Sequence, residues 1–121
     1  MTIAEAIASC DAQQPNAYSA AEKRRWLSEL DGQLYDEVFL THQDPPSFTP
    51  YTADTPQTTQ LLLPHPHDRL YPLYLTMQID RCNGEIARYN NNAQLFNDAY
   101  LTFQAHWTRT HTPTPAQPLR F

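Results

Sequence analysis

The sequence predicts an all-α fold: a small helical bundle with one long C-terminal helix, a proline-rich extended loop and an extended C-terminal tail. Three observations carry this. Apolar or aromatic residues recur at unbroken 4-3 spacing through the last third: Leu75, Ile79, Cys82, Ile86, Tyr89, Ala93, Phe96, Tyr100, Phe103 and Trp107. That spacing keeps side chains on one stripe of a helix. Two capping boxes, Thr2-Ile3-Ala4-Glu5 and Ser19-Ala20-Ala21-Glu22, open helices near the start of the chain. Prolines then cluster in two places, 45–56 and 113–118, where neither helix interior nor central strand is allowed.

Taken in order, the first helix follows Thr2 and carries Ile3, Ala6, Ile7 and Cys10 on one side, ending before Pro15 and Asn16. The second runs from Ser19 to about Thr41, with Leu27, Leu30, Leu34 and Val38 as its apolar stripe and Trp26, Tyr35 and Phe39 widening it. Gly32 inside it costs about 1 kcal/mol of helix propensity and suggests a partner helix crossing close by. Residues 42–60 hold Pro45, Pro46, Pro50 and Pro56 and no glycine, so a stiff, polyproline-like arm is expected. Leu61, Leu62 and Leu63 then read as an extended segment packed on the helices. The long helix is expected to start at Asp68 as cap or Pro72 as first residue, and to continue to Thr108. The asparagine run Asn90–Asn92 could mark a turn, but the stripe keeps its phase across it, which favours one rod of roughly 55 Å. A domain of this size has a radius of gyration of only about 14 Å, so such a rod would overrun it and seek neighbours. The expected organisation is one domain over 1–111, with 42–67 as an arm within it, and a tail over 112–121.

Composition narrows the function classes. The 121 residues carry a net charge of -5, and Lys23-Arg24-Arg25 is the one basic cluster, which argues against gripping phosphate backbones. Charged residues make up 17%, below a typical ~25%, while 6 Asn, 10 Gln and 13 Thr supply uncharged polar surface that another subunit can cover cheaply. Cys10 and Cys82 make no disulfide framework and read as buried thiols. Neither a signal peptide nor a membrane-length apolar run is legible, so a soluble, reducing compartment is expected.

Catalytic chemistry finds little footing. His65-Pro66-His67-Asp68 is the nearest approach to a zinc site, but a third spaced ligand is missing. His106 and His111 suit the negative end of a helix dipole. With Gly32 and Gly84 the only glycines, no phosphate-cradling loop can form. Neither cysteine has an evident orienting histidine, and Asp31, Asp36 and Glu37 read as solvated acids of an amphipathic helix. The expectation is a non-enzymatic protein without cofactor or metal. Its candidate contact residues are Phe48 and Tyr51 in the arm, Tyr100 and Trp107 on the long helix, and Leu119, Arg120 and Phe121 in the tail.

Two stretches carry a resemblance. One is Asn16-Ala17-Tyr18 with Lys23-Arg24-Arg25-Trp26-Leu27-Ser28-Glu29-Leu30-Asp31-Gly32. The other is 79–91, Ile79-Asp80-Arg81-Cys82-Asn83-Gly84-Glu85-Ile86-Ala87-Arg88-Tyr89-Asn90-Asn91, then Phe96-Asn97 and Trp107-Thr108-Arg109-Thr110-His111. Together they resemble head-tail connector (adaptor) proteins of tailed phages and prophages. The resemblance implies a virion structural protein of the neck, assembled in the host cytoplasm as a homo-oligomeric ring of twelve copies. Its partners would be the portal protein on one side and a stopper or tail-completion protein on the other. Genomic DNA would pass through the lumen without sequence-specific binding, and no membrane is involved. His65-Pro66-His67 and the threonine-proline tail depart from the family pattern, which leaves the partner contacts without assigned residues. A different class, a small helical protein-binding or regulatory module acting as a dimer, fits the aromatic stripe as well; a metal-dependent enzyme using His65 and His67 is the weakest reading.

Overall fold

The computed structural model describes residues 1–114. It is a bundle of four helices: α1 (Ile3–Gln13), α2 (Ala20–Glu37), α3 (Leu70–Asn83) and α4 (Ile86–Thr110). Short 3-10 turns, Phe39–Thr41 and His67–Arg69, end α2 and lead into α3. Among the described residues there are no strands, only isolated bridges pairing Thr2 with Gln60 and His42 with Pro113.

The N-terminal half follows its capping signals. Thr2 Oγ1 accepts from the Glu5 N–H at 3.1 Å, and Glu5 Oε1 accepts from the Thr2 N–H at 3.2 Å, a complete capping box. Ser19 accepts from the Glu22 N–H at 3.1 Å, but the Glu22 carboxylate turns to Arg25, so the second box is half-formed. Ile3, Ala6 and Cys10 of α1 and Trp26, Leu27, Leu30 and Leu34 of α2 enter a single core with Leu70, Leu75, Ile79, Phe96 and Phe103.

The single rod does not form. The chain turns back at Gly84 and Glu85, giving two antiparallel helices, and α3–α4 is the most extensive helix pair. Residue 80 sits beside 92, 74 beside 96, and 69 and 102 line one groove, so the pairing advances in opposite directions. The reversal is a Schellman ending: Gly84 adopts φ 72°, its N–H bonds Arg81 O at 3.3 Å, and the Glu85 N–H bonds Asp80 O at 2.9 Å. The asparagine run is not the break; Asn90, Asn91 and Asn92 all lie inside α4. Both halves keep their stripe turned to the seam, except Cys82 and Ile86 at the turn, which are exposed. Cys82 is therefore not the buried thiol its position suggested, while Cys10 is. Nor does α4 overhang: Phe103 and Trp107 near its end pack on Phe39 at ring separations of 5.9 and 4.8 Å.

Two smaller expectations are corrected. Pro72 is the third residue of α3 rather than the first, and Asp68 makes no capping bond; it faces the Met1 ammonium at 3.6 Å. A partner helix does not cross at Gly32; the Phe48 ring lies there, 3.7 Å from where a Cβ would be. The arm lies along the bundle, with Ile3, Ala4 and Leu61 N–H groups bonding Thr59 O, Gln57 O and Met1 O at 3.0–3.1 Å. Leu61 and Leu63 are buried, as expected for an extended segment on the helices. The first tail residues also join the bundle: Gln43 N–H donates to Thr112 O at 2.8 Å and Thr114 N–H to Thr41 O at 2.9 Å.

Candidate functional site

The ionisable groups inside this molecule connect segments. Asp31 is the clearest case and corrects the reading of a solvated acid, since it is 0% exposed. It continues the α2 stripe between Leu27 and Leu34, and faces the arm and α3. Oδ2 accepts from the Tyr51 hydroxyl at 2.5 Å and the Leu62 N–H at 3.2 Å, and Oδ1 accepts from the Tyr71 hydroxyl at 2.6 Å. The Tyr71 oxygen in turn accepts from the Leu63 N–H at 2.8 Å. Burial pushes the Asp31 carboxyl above the usual carboxylate range, against the pull of those three donors. Burial and the facing carboxylate push both phenols up, so they stay protonated donors.

Asp80 does the same work at the other end. It is 0% exposed and sits in α3 one turn before the Gly84 reversal. Oδ1 accepts from Gln14 Nε2 at 2.8 Å and lies 3.7 Å from Arg88 Nη1, while Oδ2 accepts from Asn92 Nδ2 at 2.7 Å. The end of α1 and the first turns of α4 are thereby tied to α3. Between α1 and α2, the buried Lys23 ammonium donates to Asp11 Oδ1 at 2.7 Å. Desolvation raises the Asp11 carboxyl, but the Lys23 and Asn16 bonds outweigh it and leave it below its ordinary value.

The histidines separate. His65 is exposed and lies 3.8 Å from Asp68, whereas His67 packs on Phe103 and against His106, whose ring is tilted to it at a separation of 4.7 Å. Desolvation, then the His106 and Arg69 charges, hold the His67 imidazole below its usual value. His111 lies just past α4, stacked on Trp107 at 3.5 Å. Among the described residues no three His, Cys, Asp or Glu side chains converge as metal ligands. The Cys10 thiol is raised by burial and touches Thr76, with no histidine bonded to it.

Two surface depressions share Arg69 and Leu73. One, about 500 Å³, is an open cleft edged by Ser9, Gln13, His65 and Asp68. The other, about 230 Å³, is a groove between α3 and α4 floored by Leu73, Leu95 and Ala99 with Asp98 and Thr102 at its rim. The cleft assembles no nucleophile with a bonded base: its His65 and Asp68 stand at 3.8 Å, beyond hydrogen-bond reach.

Of the candidate contact residues, Phe48 is half-buried between Tyr35 and Tyr51, at ring separations of 5.7 and 5.6 Å. Tyr51 bonds Asp31 through its hydroxyl and Ser28 through its N–H. Tyr100 is 8% exposed and donates to Glu37 Oε2 at 2.5 Å. Trp107 is half-buried, and its indole N–H has no partner among the described residues. Leu119, Arg120 and Phe121 lie outside the described residues. Sequence reasoning missed Asp31 and Asp80 as organising groups; the signal for Asp31 was its 4-3 spacing with Leu27 and Leu34. No helix among the described residues is long and apolar enough to cross a membrane. No family model, curated protein or solved structure matches the chain.

Proposed function

We propose that this protein is a non-enzymatic structural subunit, a head-tail connector of the adaptor kind that works as a ring between portal and tail. One observation carries the reading: the buried residues within the resembling stretches hold the fold, while 81–88 between them are exposed. Lys23, Trp26, Leu27, Leu30, Asp31, Ile79 and Asp80 are all buried, and the charged ones end in hydrogen bonds between segments rather than in a cleft. A chain that commits its internal acids to joining α1, α2, α3, α4 and the arm is built to keep shape under load. Its outer α4 surface offers Asn90, Asn91, Gln94, Asn97 and Thr102, with exposed Leu95 and Leu101 among them, a largely uncharged surface in which Asp98 is the one acid that a covering subunit must pair or leave at its edge.

In this reading the ring stands on the portal, a stopper or tail-completion protein closes it below, and the segment after Thr114 ties it to a neighbour. The mildly acidic chain lets DNA slide through the lumen. The test is deletion of 115–121, which spares the Gln43–Thr112 and Thr41–Thr114 bonds. The truncated protein should fold, but heads and tails should accumulate unjoined; normal virions from that deletion refute the proposal. A dimeric regulatory module remains the second reading, favoured by the half-buried aromatic end of α4. Sedimentation with and without portal protein separates the two.

A further inference from the structure

The α3–α4 hairpin carries a contradiction. Its stripe runs in phase straight through the turn, as it would in one helix, yet the two stripe residues at the turn, Cys82 and Ile86, lie exposed, Ile86 only edging a shallow hollow with Arg81 and Tyr89. Ile86 is 73% exposed, the most exposed large apolar side chain among the described residues. We infer that the chain exchanges α4 with a second copy of itself, opening at Gly84–Glu85 so that α3 and α4 become one helix paired antiparallel with its twin.

The register of the hairpin fixes the geometry. Its pairs, 80 with 92 and 74 with 96, are centred on residues 85 and 86, and 69 and 102, which line one groove, fall about the same centre. When α4 comes from the second copy, the same pairs form between chains, and that centre becomes a two-fold axis. Ile86 then meets Ile86 of the second copy, and Cys82 comes level with Tyr89 of the second copy. The gap in the stripe is filled only in the dimer. The seam contacts of α4 are kept, because Asp80–Asn92, Tyr74–Phe96 and Glu37–Tyr100 re-form across chains; the Ile86 N–H exchanges Gly84 O for a helical partner.

The turn is also poorly defended. Glu85 gives α4 no side-chain cap; Ile86 N–H bonds Gly84 O at 3.0 Å, but the Ala87 and Arg88 N–H groups lack the backbone partners that a continuous helix supplies. What closes the hairpin is Gly84, whose φ of 72° is easy for glycine and costly for any other residue. With nothing within 4 Å of its would-be Cβ, an alanine there acts through the backbone alone.

Two substitutions pull in opposite directions. Gly84→Ala penalises the turn and favours the straight helix. Ile86→Pro occupies the first position of α4, where in the hairpin it gives up one bond, from the Ile86 N–H to Gly84 O, but it falls in the interior of the continuous helix, where proline also clashes with the preceding turn. Sedimentation equilibrium from micromolar to millimolar, with small-angle scattering, reads the outcome. Gly84→Ala should dimerise at least about 30-fold more tightly than the parent chain. Its dimer should contain a rod of roughly 60 Å. Ile86→Pro, alone or combined with Gly84→Ala, should be monomeric with an unchanged far-ultraviolet spectrum. The inference fails if Gly84→Ala dimerises no better than the parent, or if the double variant dimerises as well as Gly84→Ala. Should Gly84→Ala not fold, the parent chain refolded from urea at millimolar concentration replaces it: a slowly dissociating dimer supports exchange, and monomer alone overturns it. Ring assembly through other faces is indifferent to Ile86→Pro, so the two proposals stand or fall separately.

Discussion

Tyr71→Phe removes one oxygen and leaves two buried groups without partners. The Tyr71 hydroxyl donates to Asp31 Oδ1 at 2.6 Å and accepts from the Leu63 N–H at 2.8 Å, with Tyr71 and Asp31 both 0% exposed. A hydrogen bond to a carboxylate contributes about 1.5–3 kcal/mol, and an orphaned buried N–H costs about 1–3 kcal/mol. The expected loss is about 3–5 kcal/mol, a fall in Tm of roughly 10–20 °C for a domain of this size. Tyr51→Phe deletes a single bond to the same carboxylate from a half-buried ring, and Oδ2 keeps the Leu62 N–H, so about 1–2 kcal/mol is expected. Urea unfolding followed by circular dichroism measures both. The double variant should be non-additive, because both phenols serve one carboxylate. The sign with pH is fixed as well. The folded-state value of Asp31 is raised, so its protonation favours the folded state, and the Tyr71→Phe deficit should shrink as pH falls toward the ordinary value of 3.8. A Tyr71→Phe variant within 1 kcal/mol of the parent, or no more destabilised than Tyr51→Phe, would refute the reasoning (threshold set at roughly the net value of an ordinary hydrogen bond).

Gly32→Ala should stabilise the fold by about 0.5–1 kcal/mol in thermal melts, since an ordinary contact with Phe48 awaits the new methyl group and helix propensity improves. The three adjacent asparagines should respond with different signs: Asn92→Ala should cost about 1–2 kcal/mol through Asp80, whereas Asn90→Ala and Asn91→Ala, both exposed, should gain a few tenths. His67, held below the ordinary imidazole value of 6.5, must take up a proton more readily when unfolded. Its contribution is therefore intact above that value and lost as pH falls through it, and His67→Gln should flatten the stability profile there.

The amphipathic pattern was legible wherever it was local. Thr2 and Ser19 cap their helices, the α2 stripe is buried, and Leu61 and Leu63 pack as an extended segment. The reversal at Gly84 was not, because a two-residue link that returns a helix against its neighbour keeps both stripes on the shared seam. Phase continuity therefore cannot distinguish a rod from a tight hairpin. The sign was Gly84 itself, in the position a Schellman ending requires, but Glu85 offers no cap to announce the next helix. Asn90–Asn92 drew attention to the wrong place, since an asparagine inside a helix can be there for a partner across the seam, as Asn92 is for Asp80. Asp31 was discounted because its charge outweighed its spacing. The donors that make its burial tolerable, Tyr51, Leu62 and Tyr71, lie 20, 31 and 40 positions along the chain. Nothing local reveals them.

Those buried acids also separate two properties that are easily confused. Asp80 fixes which residue of α4 stands beside which residue of α3, because Asn92 reaches it from one register only. It is indifferent to whether that α4 belongs to its own chain. The hydrophobic seam is equally indifferent, since Tyr74–Phe96 has the same geometry in either case. Buried polar contacts are well attested as register devices, and register is all that Asp80 can supply. Connectivity rests on the backbone of residues 84 and 85 alone. A bundle built this way commits its side chains to the geometry of the seam and leaves to one left-handed glycine the choice between closing on itself and pairing with a copy.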